Sequence, residues 1–158
     1  MIRTLLFLLP FFIFGRTGFA QNYNPITVTG FNCDVFAEAP SSLATTSMSM
    51  DLSNNVMYTQ SFAASTGLPG GVVNSGTIVS GIRTYQLAAF TGSNGLNVTQ
   101  GNALSLTLTT PASYRKVSLM AFSTESATTI NVTLGFTDGS SVNGGNFSLA
   151  DWFFGAGS

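Results

Sequence analysis

The side chains that most often carry catalysis are scarce in this sequence. It contains no histidine, one cysteine (Cys33) and six acidic residues. Without histidine the commonest general base is missing, and a serine or cysteine nucleophile has no imidazole partner. The acids are not spaced as in a calcium-binding loop, although a structural Ca²⁺ held largely by backbone carbonyls stays an open alternative. The sequence therefore predicts a protein that is not an enzyme and has no cofactor.

Two carboxylates could in principle serve a glycosidase, which needs a pair of acids about 5–9.5 Å apart. Asp138 and Asp151 flank one predicted strand, residues 141–149. At about 3.3 Å per residue, that strand would separate its ends by nearly 30 Å. We therefore predict that Asp138 is a turn residue and that Asp151 is a local hydrogen-bond acceptor beside Trp152.

Aromatic side chains are the remaining candidates for binding a ligand. Sugar-binding proteins stack flat rings on sugar faces and surround them with amide and hydroxyl groups. The candidate carbohydrate-binding residues are Tyr58, Tyr85, Tyr114 and Trp152, with Phe153 as a further platform. In the alternative interpretation, Trp152 packs at one end of the domain, and the tyrosines cover the edges of the core with their hydroxyl groups in water.

The first 20 residues have the pattern of a cleavable signal peptide. Arg3 gives a positive start, residues 5–14 form an apolar run, and Gly18-Phe19-Ala20 places small residues at a signal-peptidase site. A ten-residue helix is about 15 Å long, about half of a bilayer core. We therefore expect residues 1–20 to be removed, which leaves a secreted module of residues 21–158 without a membrane span.

The mature chain would be weakly charged and rich in hydroxyl and amide groups. Two of the five cationic side chains lie in the signal segment, so three remain against six acidic ones, a net charge of −3. This chain lacks the basic surface that nucleic-acid binding requires. Ser, Thr and Asn supply 49 of its 138 residues, and they suit the exposed faces and turns of sheets. Outside the cell the lone Cys33 is a small buried thiol or an intermolecular link.

Alternation of apolar and polar residues predicts strands, and no segment of useful length has the helical period. Residues 104–109 and 130–137 alternate most regularly, whereas residues 117–122 are apolar almost throughout, as in a strand buried on both faces. The apolar positions before and after Gly30 have opposite parity, and a bulge or kink there would return them to one face. The pair Asp138-Gly139 predicts a hairpin turn.

About eight short strands separated by turns favour an antiparallel β-sandwich of jelly-roll type, with a closed barrel as the alternative. The Gly-, Ser- and Ala-rich residues 62–80 would be an excursion between strands. In such a sandwich we expect the leucines at 104, 106 and 108 to share a buried side with Ile130, Val132 and Leu134.

The order of the motifs resembles the N-terminal modules of large secreted surface proteins of Bacteroidetes-type bacteria, many of them cargo of type IX secretion. The resemblance lies in residues 26–35, 110–111, 117–121 and 130–140 and in the ending Asp151-Trp152-Phe153. The later motifs are also similar to the back half of galactose-binding-like jelly rolls appended to glycoside hydrolases. The resemblance implies a galactose-binding-like jelly roll outside the cell.

Members of that family continue past the Asp-Trp segment with a further strand and further domains, so we expect this chain to be part of a longer polypeptide. They commonly have a small residue such as Ala in the place of Cys33. The sequons at Asn97, Asn131 and Asn146 would accept glycans only in a eukaryotic secretory pathway, so a bacterial origin makes them chance matches.

These observations predict a non-catalytic module at the outer cell surface that binds a glycan or polysaccharide and attaches a larger protein. The motivation is the jelly-roll resemblance, the uncharged surface and the missing catalytic groups. The alternative is a structural spacer or adhesin domain without a small-molecule ligand, which would make contacts through the edges of its sheets.

Overall fold

The computed structural model describes residues 23–38, 46 and 48–153. This part of the chain is all-β, as the sequence predicts, and it also contains one short helix that the sequence does not predict. The predicted signal peptide lies outside the described residues. The elements in chain order are β1 Val28–Thr29, β2 Phe36–Ala37, β3 Met57–Tyr58, α1 Gln60–Thr66, β4 Thr77–Ser80, β5 Arg83–Gln86, β6 Thr107–Leu108, β7 Thr128–Gly135 and β8 Ser141–Leu149.

The strands form four two-stranded sheets. β1 pairs with β6, β4 with β5 and β7 with β8, all antiparallel, whereas β2 and β3 are parallel. The predicted strand at residues 141–149 has the observed bounds of β8. The described strands are therefore organised as separate pairs, of which β7–β8 is the longest.

The chain turns sharply at Gly30, as the change of parity predicts. Gly30 has φ +110°, a value that L side chains rarely adopt. A Cβ atom built on Gly30 would collide with the carbonyl oxygen of Ser105, next to β6. The turn returns the apolar residues on its two sides to the less exposed positions of the segment, Ile26, Val28, Phe31, Cys33 and Val35.

The buried apolar side chains lie in β2 and α1 and at Cys33 before β2. Phe36, Ala37, Phe62 and Ala63 are buried, and the Phe36 ring lies 4.8 Å from the ring of Phe90. The composition of residues 62–80 predicts an excursion here and not the helix, because seven residues are too few to show the helical period. The helix is instead set by its ends. Thr59 Oγ1 accepts a hydrogen bond from Phe62 N at its start, and Gly67 ends it with φ +74°.

A buried polar cluster joins the residues before β2 to the loop before β6. Asn94 Nδ2 donates to the Asp34 carboxylate at 2.6 Å, and Asn94 Oδ1 accepts from Val35 N at 3.0 Å. The backbone of Cys33 also exchanges hydrogen bonds with that of Gly95. Because both side chains are buried and satisfied, this cluster fixes the position of the loop more firmly than apolar contact would.

The apolar residues 117–122 are not in a strand, so the prediction of a doubly buried strand is wrong for this structure. Leu119 is 58 % exposed and Met120 is 53 % exposed. The segment is held near its two ends instead. The Ser118 hydroxyl lies 2.7 Å from the Tyr85 hydroxyl, and Ser123 N donates to Ala150 O.

The expected shared burial of the two most regular segments is also not formed. Residues 107 and 108 pair with β1, and β7 pairs with β8, so the two segments have different partners. Leu104 and Leu134 are both exposed.

The close approach at Gly30 makes a stability prediction. We expect Gly30→Ala to lower the free energy of unfolding by at least about 1–2 kcal/mol, because a Cβ is disfavoured at positive φ and would collide with Ser105 O. Gly92→Ala is the matched control, since its Cβ would meet no atom within 4 Å, and it should change stability by no more than about 0.5 kcal/mol. Urea unfolding measures the free energy of unfolding of both variants. Equal effects of the two substitutions would contradict a close approach between Gly30 and Ser105.

Candidate functional site

The β7–β8 hairpin is set by the turn that the sequence predicts. Asp138 Oδ1 accepts hydrogen bonds from Ser140 N at 2.9 Å and from Ser140 Oγ at 2.6 Å. Gly139 follows with φ +84°, and Phe136 N donates to Ser140 O at 2.9 Å. Asp138 is therefore a turn residue, as expected, and the turn fixes which residues of the two strands lie opposite each other.

A bulge in β8 changes which side of the hairpin its side chains face. Asn131 lies opposite Asn146 and Thr133 lies opposite Asn143, with a register shift between Val132 and Thr133. The extra residue on β8 lies in the Gly144-Gly145 pair, and Gly145 has φ +110°. Because the bulge adds one residue, Asn143 and Asn146 lie on the same side of the hairpin although they are three residues apart.

One side of the hairpin is consequently made of hydroxyl and amide side chains alone. We call it the polar face, and all of its seven residues are exposed. They are Thr129, Asn131 and Thr133 of β7 and Ser141, Asn143, Asn146 and Ser148 of β8. The face carries no charged residue. Such a surface offers hydrogen bonds to neutral groups and lacks the charge that would attract ions.

Three amides at the centre of the polar face are joined by hydrogen bonds, and we call them the amide triad. Asn131 Nδ2 donates to Asn143 Oδ1 at 3.1 Å and to Asn146 Oδ1 at 2.9 Å. Gly145 N also donates to Asn143 Oδ1, at 2.8 Å. Within the described residues, Asn131 Oδ1 and the Nδ2 atoms of Asn143 and Asn146 carry no hydrogen bond. One acceptor and two donor groups are therefore available to a ligand.

The predicted tyrosines lie apart from this face and bind the protein through their hydroxyl groups. The Tyr58 hydroxyl donates to Pro69 O at 2.8 Å, and its ring lies 6.1 Å from Phe62. The Tyr85 hydroxyl lies beside that of Ser118, and the Tyr114 hydroxyl donates to Thr110 O at 3.1 Å. Both Tyr58 and Tyr85 are half-buried, whereas Tyr114 is 41 % exposed. Each of the three hydroxyl groups thus has a hydrogen-bond partner within the protein.

Trp152 and Phe153 follow β8 directly and form an edge-to-face pair with ring centres 5.5 Å apart. Asp151 is buried, and its Oδ1 accepts from Phe153 N at 2.8 Å, which confirms the predicted local acceptor beside Trp152. Trp152 N donates to Ser123 O at 2.9 Å. Among the described residues no ring contact joins two of the four predicted aromatic residues.

A cavity of about 120 Å³ lies elsewhere, lined by residues 25–28, Phe31 and residues 86–88. None of the predicted binding residues and none of the polar face lines it.

Across the described ranges, no group of three or more His, Cys, Asp or Glu residues could hold a metal ion. Nor does that part of the chain contain a helix both long and apolar enough to cross a membrane. Comparison with protein-family models, with curated proteins and with solved structures finds no match to this chain. The candidate site is therefore defined by its geometry.

The amide triad is not predicted by the sequence pattern. The alternation in residues 130–137 places Asn131 and Thr133 on one face. Strict alternation in β8, however, would put Asn143 and Asn146 on different faces of the strand. The sequence feature that could have indicated the bulge is Gly144-Gly145, because glycine inside a predicted strand commonly marks a bulge.

The single cysteine is buried, as one of the two sequence-based alternatives expects. Cys33 is free and 5 % exposed, and its Sγ donates to Gly95 O at 3.2 Å. Burial raises the pKa of the Cys33 thiol, and the nearby Asp34 carboxylate raises it further, whereas a hydrogen bond with the Asn97 backbone lowers it.

We expect Cys33 in the native protein to react slowly with a maleimide at neutral pH, because the thiol is buried and a raised pKa keeps it protonated. Unfolding in urea should restore rapid reaction. Mass spectrometry after timed labelling measures both rates. Rapid native labelling, or a disulfide-linked dimer on a non-reducing gel, would instead support the intermolecular link.

Two turn carboxylates predict a loss of stability in acid. Hydrogen bonds from the Asn55 side chain, and then from backbone N–H groups, lower the pKa of Asp51; those from the Ser140 hydroxyl and N–H lower the pKa of Asp138. The folded pKa values lie below the unfolded ones. The stabilisation is therefore present above about pH 4, the ordinary aspartate pKa, and is lost as the pH falls through the folded values.

The thermal midpoint of the protein should accordingly fall as the pH is lowered below about 4, the ordinary aspartate pKa. Asp51→Asn with Asp138→Asn should flatten this dependence, because asparagine keeps the turn acceptor but does not titrate. Circular dichroism melts across the pH range measure it. An unchanged pH dependence in the double variant would show that other carboxylates control acid unfolding.

Proposed function

We propose that this chain is a secreted, non-catalytic module that binds neutral carbohydrate and thereby attaches a larger extracellular protein to a glycan-bearing surface. The observation that carries the proposal is the polar face, with its seven exposed hydroxyl and amide side chains. Sugars present hydroxyl groups that both donate and accept hydrogen bonds, and these residues are their uncharged counterparts.

The location and architecture in this proposal come from the sequence. The signal-peptide pattern of residues 1–20 and the family resemblance support export to the outer cell surface. We propose a jelly-roll sandwich as the architecture. Support comes from the second side of the β7–β8 hairpin, which is apolar and includes Phe147, 49 % exposed. In such a sandwich, this apolar side of the hairpin and the exposed apolar residues 117–122 would face the interior, where both would be removed from water.

A second candidate function is a spacer or adhesin domain without a small ligand. It is favoured by the pairing of the strands, since β7 and β8 each have one edge without a strand neighbour within the described residues. Such edges can pair with another chain.

Retention on polysaccharides tests the leading proposal. The secreted protein, produced in a bacterial host so that no sequon is glycosylated, should be retained on insoluble neutral polysaccharides such as cellulose, xylan or mannan. Retention should be nearly unchanged between about 0.05 and 0.5 M salt, because a neutral face releases no counterions. Bound and free fractions after sedimentation measure it, with albumin as the control protein.

Two results would overturn the proposal. One is the absence of retention on every neutral polysaccharide. The other is retention on anionic polysaccharides alone, lost at high salt. Either result, together with self-association through strand edges, would favour the spacer or adhesin.

A further inference from the structure

We propose that the amide triad recognises neighbouring hydroxyl groups of a linear, neutral polysaccharide that lies along β7 and β8. This inference rests on the proposed function and names its ligand class and its central contacts. Asn131 is the residue on which the recognition depends, because it makes both hydrogen bonds that join the triad.

The hydrogen bonds inside the triad determine which donor and acceptor groups of each amide remain available to a ligand. An asparagine amide has two N–H donors and one carbonyl acceptor. Asn131 uses both donors inside the protein, so its carbonyl oxygen is left for a ligand. Asn143 and Asn146 use their carbonyl oxygens as acceptors, so their amide N–H groups are left.

The triad thus presents one acceptor from β7 beside donor groups from β8. Two neighbouring sugar hydroxyls match this arrangement, because one can donate to Asn131 Oδ1 while the next accepts from an amide N–H. A carboxylate or phosphate could only accept, and the Asn131 carbonyl would repel it. The array therefore selects hydroxyl groups over anions.

The dimensions of the polar face favour an extended chain over a single sugar. From Thr129 to Thr133 the face runs over four residues, about 13 Å at about 3.3 Å per residue. Hydroxyl groups lie on both sides of the triad, with Thr129 and Ser148 at one end and Thr133 and Ser141 at the other. All of these residues are exposed, so no side chain of the face encloses a single ring.

Preorganisation supports useful affinity at an open surface. The internal hydrogen bonds hold the three amides in one arrangement before a ligand arrives, which lowers the entropy lost on binding. Each new hydrogen bond replaces one to water and contributes only about 1 kcal/mol net. Several contacts along a chain are therefore needed, and affinity should rise with the length of the oligosaccharide.

Titration calorimetry with neutral oligosaccharides tests the inference. Oligosaccharides of one to six units, cut from the polysaccharide that retains the protein, are titrated into the purified protein. We expect the six-unit chain to bind at least about tenfold more tightly than the single sugar. Asn131→Ala should weaken its binding at least about tenfold, because the substitution removes the acceptor and releases both neighbouring amides.

Two further variants separate recognition from folding. Asn102→Ala is the matched control, since this asparagine is exposed and bonds locally to Thr99, and it should leave binding unchanged. Thr133→Val keeps the shape and strand preference of the residue but removes its hydroxyl, and it should weaken binding about threefold. Thermal melts establish that each variant is folded, and Thr133→Val alone decides the matter if Asn131→Ala does not fold.

The outcomes distinguish this inference from the proposed function. Absence of binding to every neutral polysaccharide overturns both. Binding that Asn131→Ala and Thr133→Val leave unchanged overturns the polar face as the site while carbohydrate binding stands. Equal affinity for one and six units overturns the extended chain as the ligand.

Discussion

The register of the β7–β8 hairpin is the constraint on which the candidate site depends. Side chains alternate across a strand, so a slip of one residue would exchange the polar and apolar sides. The Asp138-Gly139 turn fixes the pairing at one end, and the bulge at Gly144-Gly145 restores the alternation halfway along. Two local features of backbone geometry therefore place seven neutral side chains on one surface.

Much of the local structure could be predicted because it follows from local chemistry. The hairpin turn, the bounds of β8, the break at Gly30 and the buried Cys33 all depend on alternation or on the conformational freedom of glycine. The helix α1 could not be predicted from its period, since a Thr59 cap and the Gly67 end define it. Whether residues 117–122 form a strand depends on which strands lie beside them, and this cannot be predicted from composition alone.

The candidate site was less predictable than the fold, for a physical reason. Ring type suggested Tyr58, Tyr85, Tyr114 and Trp152, but a shared platform needs tertiary positions that no local pattern fixes. The tyrosine hydroxyl groups bind backbone or side-chain partners nearby. The amide triad, by contrast, arises from cross-strand pairing corrected by a bulge. Sequence composition indicated the chemistry of an uncharged hydroxyl- and amide-rich surface correctly, but it did not indicate the residues.

A neutral recognition surface imposes its own limits on function. Each contact of the polar face competes with water, and no charge adds long-range attraction, so a single module would bind weakly and with little dependence on salt. Weak binding becomes effective attachment when several contacts or several modules act on one polymer, because the first contact raises the effective concentration of the next. An open hairpin face suits a polymer of repeating hydroxyl pairs for that reason, since the ligand can continue past either end of the seven residues. Attachment by many such contacts would suit the proposed role in a larger surface protein, because retention would then matter more than the affinity of one site.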